Sequence, residues 1–320
     1  MAIDSLSVDL VRRAKLPIYP PNIYYSIPTK ANREHAKNRA FLRGFILELI
    51  SKRQQEHETK SIDVKVDLLG KLLEATAQYS SVKQDQEVQE EQNANETLID
   101  ILFTLLGAGY ETTSIALSYA LYFVASMPNV EKHLVEEICR VTKKGSMNVD
   151  NLVYCKAVVM ETLRLYPSVP AVDRRLTKDL ELRGGFLAKA GTPVLLPIWT
   201  IHRSELSFAR PLEFVPERWA SWDPKAKCWK ERNCSPDNNN EYDKVPNDIP
   251  AGDQKSLFAF SAGARNCLGY KFAMREAIVV LANLVKNLKF TLPKDYKLTA
   301  HRLGVVQCPK GGMPMKMEWR

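Results

Sequence analysis

Cysteine and histidine are scarce in this 320-residue chain, at six and five residues. The cysteines, Cys139, Cys155, Cys228, Cys234, Cys267 and Cys308, form no C-x-x-C pair and no zinc-ligand spacing, which excludes a zinc module. Nothing at the start has the form of a secretory signal, so reduced, mostly structural thiols are expected, with Cys267 the exception. The stretch from Met1 to Leu10 is too polar for a membrane anchor. There is no G-x-G-x-x-G fingerprint, hence no expectation of a dinucleotide site in this chain, and there are no internal repeats. The net charge is +8, but basic and acidic residues are interspersed and form no basic block, so no nucleic-acid partner is expected. With 45% hydrophobic and 26% charged residues, the chain can bury a large core as one big domain or two ordinary ones.

What the sequence does hold is concentrated at Phe260-Ser-Ala-Gly-Ala-Arg-Asn-Cys-Leu-Gly269, followed by apolar Ile278, Leu281, Val285 and Leu288 at helical spacing. This places Cys267 between two glycines at the N-terminus of a helix expected from about Gly269. Unpaired N–H groups and partial positive charge there favour a thiolate. Gly263 and Gly269 allow a tight turn and close approach to a flat ligand, and Arg265 can meet an anionic group on it. The plain alternative is a glycine-rich turn before a core helix, with Cys267 an inert buried thiol.

From residue 1 to about 30 the chain is irregular, broken by Pro17, Pro20, Pro21 and Pro28. Over Ala31–Glu56, Phe41, Leu42, Phe45, Ile46, Leu49 and Ile50 predict one buried helical face. A second helix is expected over Val66–Thr76 on Leu68, Leu69, Leu72 and Leu73. Ser80–Asn95 reads as an exposed connection with Asn95 as N-cap of a long apolar helix over Glu96–Met127. A membrane span is the rival there. Glu111 near its middle would cost about 2.5–3.5 kcal/mol in a bilayer, which favours a helix crossing a protein core. Gly107 and Gly109 beside Glu111, Thr112 and Thr113 leave room for a bulky ligand and loosen the helix locally.

A helix after Pro128 carries Leu134, Val135, Ile138 and Val141 inward. The next, Leu152–Tyr166, is expected to be capped by Asp150 and closed by Pro167. Its Glu161 and Arg164 share a face and lie among apolar neighbours, and a buried pair needs further partners. Phe214-Val-Pro-Glu-Arg-Trp219 stands later in the chain. Leu180–Leu182 and Thr192–Ile198 read as strands, His202 as structural, and 220–254 as a surface excursion. Phe290–Arg320 reads as a terminal hairpin, with runs about Gly304–Val306 and Met313–Trp319.

Four of these signatures stand in the order found in the haem-thiolate monooxygenases. F-x-x-G-x-R-x-C-x-G resembles the haem-binding loop of the cytochromes P-450, and Ala108-Gly-Tyr-Glu-Thr-Thr113 is similar to their distal-helix motif. E-T-L-R with P-E-R-W resembles their Glu-Arg-Arg network. The likeness runs from about Ala31 to the end. It implies a mainly α fold with a small β component, one cytochrome P-450 domain that is N-terminally incomplete. Its parts would be residues 1–30, 31–127 through the distal helix, 128–219 through P-E-R-W, and 220–320 with meander, cysteine loop, core helix and hairpin.

The resemblance further implies haem b ligated axially by Cys267, with Phe260, Gly263, Arg265, Gly269, Ala108 and Gly109 around it. It implies a propionate contact from Arg174, with Arg175 as a competitor for that role. Glu111 and Thr112 would serve distal proton delivery, and Glu161, Arg164 and Arg218 a structural network. Electrons would come from NADPH through a separate reductase, the substrate would be small and lipophilic, and one atom of O2 would be inserted into it. Lys271 and Arg275 would face the redox partner or be ordinary solvated charges. The full-length family type would sit on the cytosolic face of the endoplasmic reticulum membrane. Two alternatives stay open: a truncated chain with weak or no haem binding and no turnover, and a helical membrane or interaction protein.

Overall fold

The computed structural model describes residues 26–58, 67–81, 87–143, 145, 147–232 and 256–320, with residues 2, 3, 5, 6 and 9. The expectations placed on Pro17, Pro20, Pro21, Val66, Cys234 and 238–240 lie outside the described residues. The chain divides into two compact units, Met1–Glu111 and Thr112–Arg320.

In the first unit, helix α1 spans Lys30–Glu58 and α2 spans Leu68–Ser81. Ile46 and Ile50 of α1 join Leu98 and Ile99 in a small core, with Leu69, Leu72 and Leu73 packed against it. Phe41 and Phe45, expected inward, are exposed. Leu42, Ile46 and Ile50 already supply the buried stripe at four-residue spacing. Helix α3 runs from Glu87 to Ser126, so Asn95 lies inside it and is not its cap. Within the stretch read as a connection, Glu87–Asn95 is rich in Glu and Gln, whose helix preference outweighs the lack of apolar periodicity. The helix is unbroken through Gly107 and Gly109. Among the described residues, no helix is long and apolar enough to cross a membrane.

The second unit begins within α3. Helices α4 (Pro128–Thr142) and α5 (Val153–Leu165) follow. Strand β1 (Val172–Arg175) pairs antiparallel with β4 (Pro193–Leu196), and β2 (Leu180–Leu182) with β3 (Phe186–Ala188). After the short helix α6 (Ile198–Ile201), β5 (Ala220–Asp223) and β6 (Cys228–Glu231) form a hairpin where an irregular excursion was expected. The apolar residues Ala220 and Trp229 anchor it to the core. Helix α7 spans Tyr270–Asn287. The expected terminal hairpin is instead two pairings. β8 (Ala300–Leu303) pairs with β9 (Val306–Pro309), while β10 (Lys316–Trp319) returns to β7 (Leu288–Thr291).

Helices α4, α5 and α7 enclose the main core with Leu134, Ile138, Val158, Leu281 and Val285. Phe123 stacks on Phe214 at 3.8 Å between ring centres. Asp150 does not cap α5; it ion-pairs with Arg275 at 2.7 Å. The cap comes from α4, where the buried Glu137 carboxylate accepts from Tyr154 N at 2.8 Å and Cys155 N at 2.9 Å. Burial holds that carboxyl above its ordinary pKa, offset in part by these bonds. Glu137→Ala leaves two buried N–H groups at a helix start without acceptors, and is expected to cost about 2–4 kcal/mol in urea unfolding.

Candidate functional site

The cysteine loop leads into the start of α7. Cys267 N donates to Phe260 O at 2.8 Å, and Ser261 N donates to Phe258 O at 2.8 Å, folding the loop back on its own stem. A single 3-10 turn covers Gly263–Arg265. Gly263 has φ +72°, so its backbone favours glycine although nothing stands within 4 Å of where its Cβ would be. Gly269 has an ordinary φ of −81° and is no left-handed turn residue. A Cβ on it would meet Cys267 Sγ at 3.9 Å. Ser261 takes φ +62°, a conformation unusual for a residue with a side chain.

Cys267 is exposed, which removes the inert buried thiol as an explanation. Cys155 is the contrasting case, fully buried, with Sγ 3.6 Å from Ile278 O and its pKa pushed up by burial. Cys267 opens into a cavity of about 270 Å³. Arg265 and Phe260 of the loop, Arg174 of β1, Thr112, Thr113 and Ala116 of α3, and Val169 and Val172 share its lining. Apolar Val159, Leu163, Ile198 and Ala277 complete much of the wall. Among the described residues no three His, Cys, Asp or Glu gather as a metal-ligand set, and Cys267 meets the cavity as a single thiol.

Strand alternation sets the two arginines apart. Arg174 is half-buried and lines the cavity, whereas Arg175 is exposed. Arg174 Nη2 donates to Ser261 Oγ at 2.9 Å, tying β1 to the loop. Thr112 is positioned through its backbone, since its carbonyl accepts from Ser168 Oγ at 2.7 Å. Ser168 and Ser261 escaped the sequence reading because a lone serine carries no spacing signal. Ala108, Gly109 and Glu111 belong to the first unit. Gly109 has open space where a Cβ would be, and Glu111 is buried.

Behind the loop, Glu161, Arg164 and Arg218 meet in the interior, each no more than 1% exposed. Both Glu161 oxygens receive Arg164, through Nε at 2.9 Å and Nη2 at 2.8 Å. Arg218 Nε at 3.1 Å, Val215 N at 2.9 Å and Trp219 Nε1 at 2.9 Å complete the set. Arg164 also donates to the carbonyls of His202, Pro211 and Glu213. These partners make a buried ion pair tolerable. His202 is buried beside them, and burial, with Arg164 and Arg203 nearby, pushes its pKa down to about 4.

The site's residues fit haem: one soft donor, two guanidinium groups for carboxylates, and apolar walls. Comparison with known proteins agrees in sequence and in fold. Rabbit (Oryctolagus cuniculus) cytochrome P-450 3A6 is 37% identical over 195 residues, 60% of this chain and 34% of that protein. Probable cytochrome P-450 6a21 of Drosophila melanogaster is 31% identical over 294 residues, 85% of this chain and 51% of that protein. The self-sufficient cytochrome P-450 monooxygenase of Oidiodendron maius is 32% identical over 209 residues, 64% of this chain and 17% of that protein. The chain thus spans about half or less of the length of these relatives. The heme domain of a cytochrome P-450DA mutant superposes with TM-score 0.70 at 21% identity, covering 100% of this chain and 60% of that one. With the cytochrome P-450 family model matching residues 2–314, the chain belongs to the cytochrome P-450 family.

Proposed function

We propose that this chain is the haem-thiolate part of a monooxygenase that inserts one atom of O2 into a small lipophilic substrate. The observation that carries the proposal is the exposed Cys267 thiol sharing one cavity with Arg174, Arg265 and Thr112. Cys267 would ligate the iron of haem b, held by Phe260 and the glycine-bearing turn Gly263–Gly269. Arg174 and Arg265 would pair with the propionates as charge-assisted donors. Haem held this way would supply O2 activation, which thiolate ligation favours. Thr112, with Glu111 before it in sequence, would hold and pass the protons that this chemistry consumes. Ala108 and Gly109 would leave the helix surface clear. Val169 and Val172 would shape the substrate's side of the cavity.

The name of the Oidiodendron relative carries the monooxygenase activity, and its self-sufficiency marks an alternative electron route. For this chain the reading is NADPH electrons delivered by a separate reductase of the cytochrome P-450 reductase type. The full-length protein would work at the cytosolic face of the endoplasmic reticulum membrane. The test is haem reconstitution of the 320-residue chain followed by reduction under carbon monoxide. A red-shifted, thiolate-type Soret band is expected, with reductase- and NADPH-dependent hydroxylation of lipophilic probes. Failure of the chain to take up haem would defeat the proposal and favour a product without turnover.

A further inference from the structure

Besides its apolar packing on the core and the arginine at its rim, the stem of the cysteine loop is bound by a histidine. Phe258 N, at the head of the stem, donates to His202 Nε2 at 2.8 Å. The other ring nitrogen, Nδ1, lies 3.0 Å from Arg164 O at the end of α5. A backbone N–H only donates, so Nε2 must be the acceptor and Nδ1 the protonated nitrogen. Arg164 returns the contact, its Nη1 donating to His202 O at 2.8 Å. The imidazole is fully buried and packed edge-on against Phe208. Its tautomer and orientation are therefore fixed from three sides.

From these contacts we infer that His202 is a positioning residue for Cys267. Its neutral imidazole clamps the stem of the cysteine loop to the C-terminal turn of α5 and so sets where the thiol stands in the cavity. The path is short and made of observed bonds. Arg164 O holds Nδ1–H, Nε2 holds Phe258 N–H, Phe258 O holds Ser261 N–H, and Phe260 O holds Cys267 N–H. Because Arg164 is locked onto Glu161 by two bonds, the buried charge network and the cysteine loop share one anchor. No lone pair is left on the ring for a metal, which separates this histidine from a ligand role. The consequence for haem rests on the function proposed above; the clamp on the loop does not.

Two substitutions divide the ring's two bonds. His202→Asn places an amide donor near the Nδ1 position and abandons Phe258. His202→Gln reaches Phe258 with its side-chain oxygen. Amide hydrogen exchange of the haem-free chain is read in peptides covering 257–267 and 153–165. In His202→Asn the first is expected to exchange at least tenfold faster with the second unchanged, and in His202→Gln protection of the first returns. In the reconstituted proteins the Asn variant is expected to lose thiolate-type Soret intensity to a shorter-wavelength band, and the Gln variant to regain it.

Unchanged exchange at 257–267 in His202→Asn overturns the inference while leaving a wild-type thiolate band, and the proposed function, standing. Faster exchange there in His202→Asn, with a wild-type chain that takes up no haem, supports the clamp and defeats the proposed function. Loss of protection across both peptides in both variants also overturns the inference, because His202 would then hold the whole core and not the loop.

Discussion

In Cys267→Ala, the thiolate-type Soret band of the reduced carbon monoxide complex is expected to vanish completely, and hydroxylation with it. The size of the effect follows from the site's having a single thiol at the cavity. Alanine offers no electron pair, and among the described residues no cluster of ligating side chains stands ready to replace it. The fold should not respond. The Cys267 side chain is exposed, and the bond that holds the loop there uses its backbone N–H, which alanine keeps. Thermal unfolding should therefore match the parent to within about 0.5 kcal/mol, as for other surface substitutions. Cys155→Ala is the control, since that thiol is buried against Ile278 and is not among the residues lining the Cys267 cavity. A thiolate band surviving in Cys267→Ala, or lost equally in Cys155→Ala, would remove Cys267 from the proposed role.

Glu161→Ala is expected to destabilise the unit Thr112–Arg320 by about 3–5 kcal/mol, the cost of leaving buried charge uncompensated. The carboxylate accepts five hydrogen bonds, from Arg164 twice and from Val215, Arg218 and Trp219. Alanine strips all of them and leaves two guanidinium groups in the interior with a backbone and an indole N–H. Against total stabilities of about 5–15 kcal/mol, this consumes a large share. A lowered midpoint with unchanged slope in urea is the expected result. Glu161→Gln keeps the shape and part of the acceptor capacity, and should fall between parent and alanine. Equal stability of all three would mean that the network contributes nothing to folding.

Much of the site was legible because it is built from residue types with few other uses at their spacings. Cys267, Gly263 and Arg265 fall within one decapeptide. Glu161 and Arg164 declare their shared face by separation alone. The partner Arg218 was legible only through the family likeness, since nothing local connects it to a helix 57 residues earlier. What was hidden depends on tertiary contact. Glu137 looks like a solvated helix charge until α5 is laid against it. Trp222 and Trp229 pair across a hairpin that charged and turn-forming neighbours disguised as irregular chain. Phe41 and Phe45 were placed inside by periodicity, but a helix needs only one narrow stripe to pack, and Leu42, Ile46 and Ile50 take it. Gly263 and Gly269 look alike in sequence, yet only the first has a backbone angle that favours glycine.

The span of chain over which the Glu161 network closes has a bearing on the order of assembly. All its members lie between Glu161 and Trp219, whereas α7 reaches α5 only across a separation such as the 123 residues between Cys155 and Ile278. Each doubling of a closed loop adds roughly 0.6 kcal/mol of entropy cost, so the nearer set is the easier to bring together. Its closure also fixes the Arg164 carbonyl against which His202 is held. The cysteine segment, synthesised later, then has a surface already shaped to receive its stem. In that order of assembly the cysteine loop would be templated by an ion cluster that does not line its cavity.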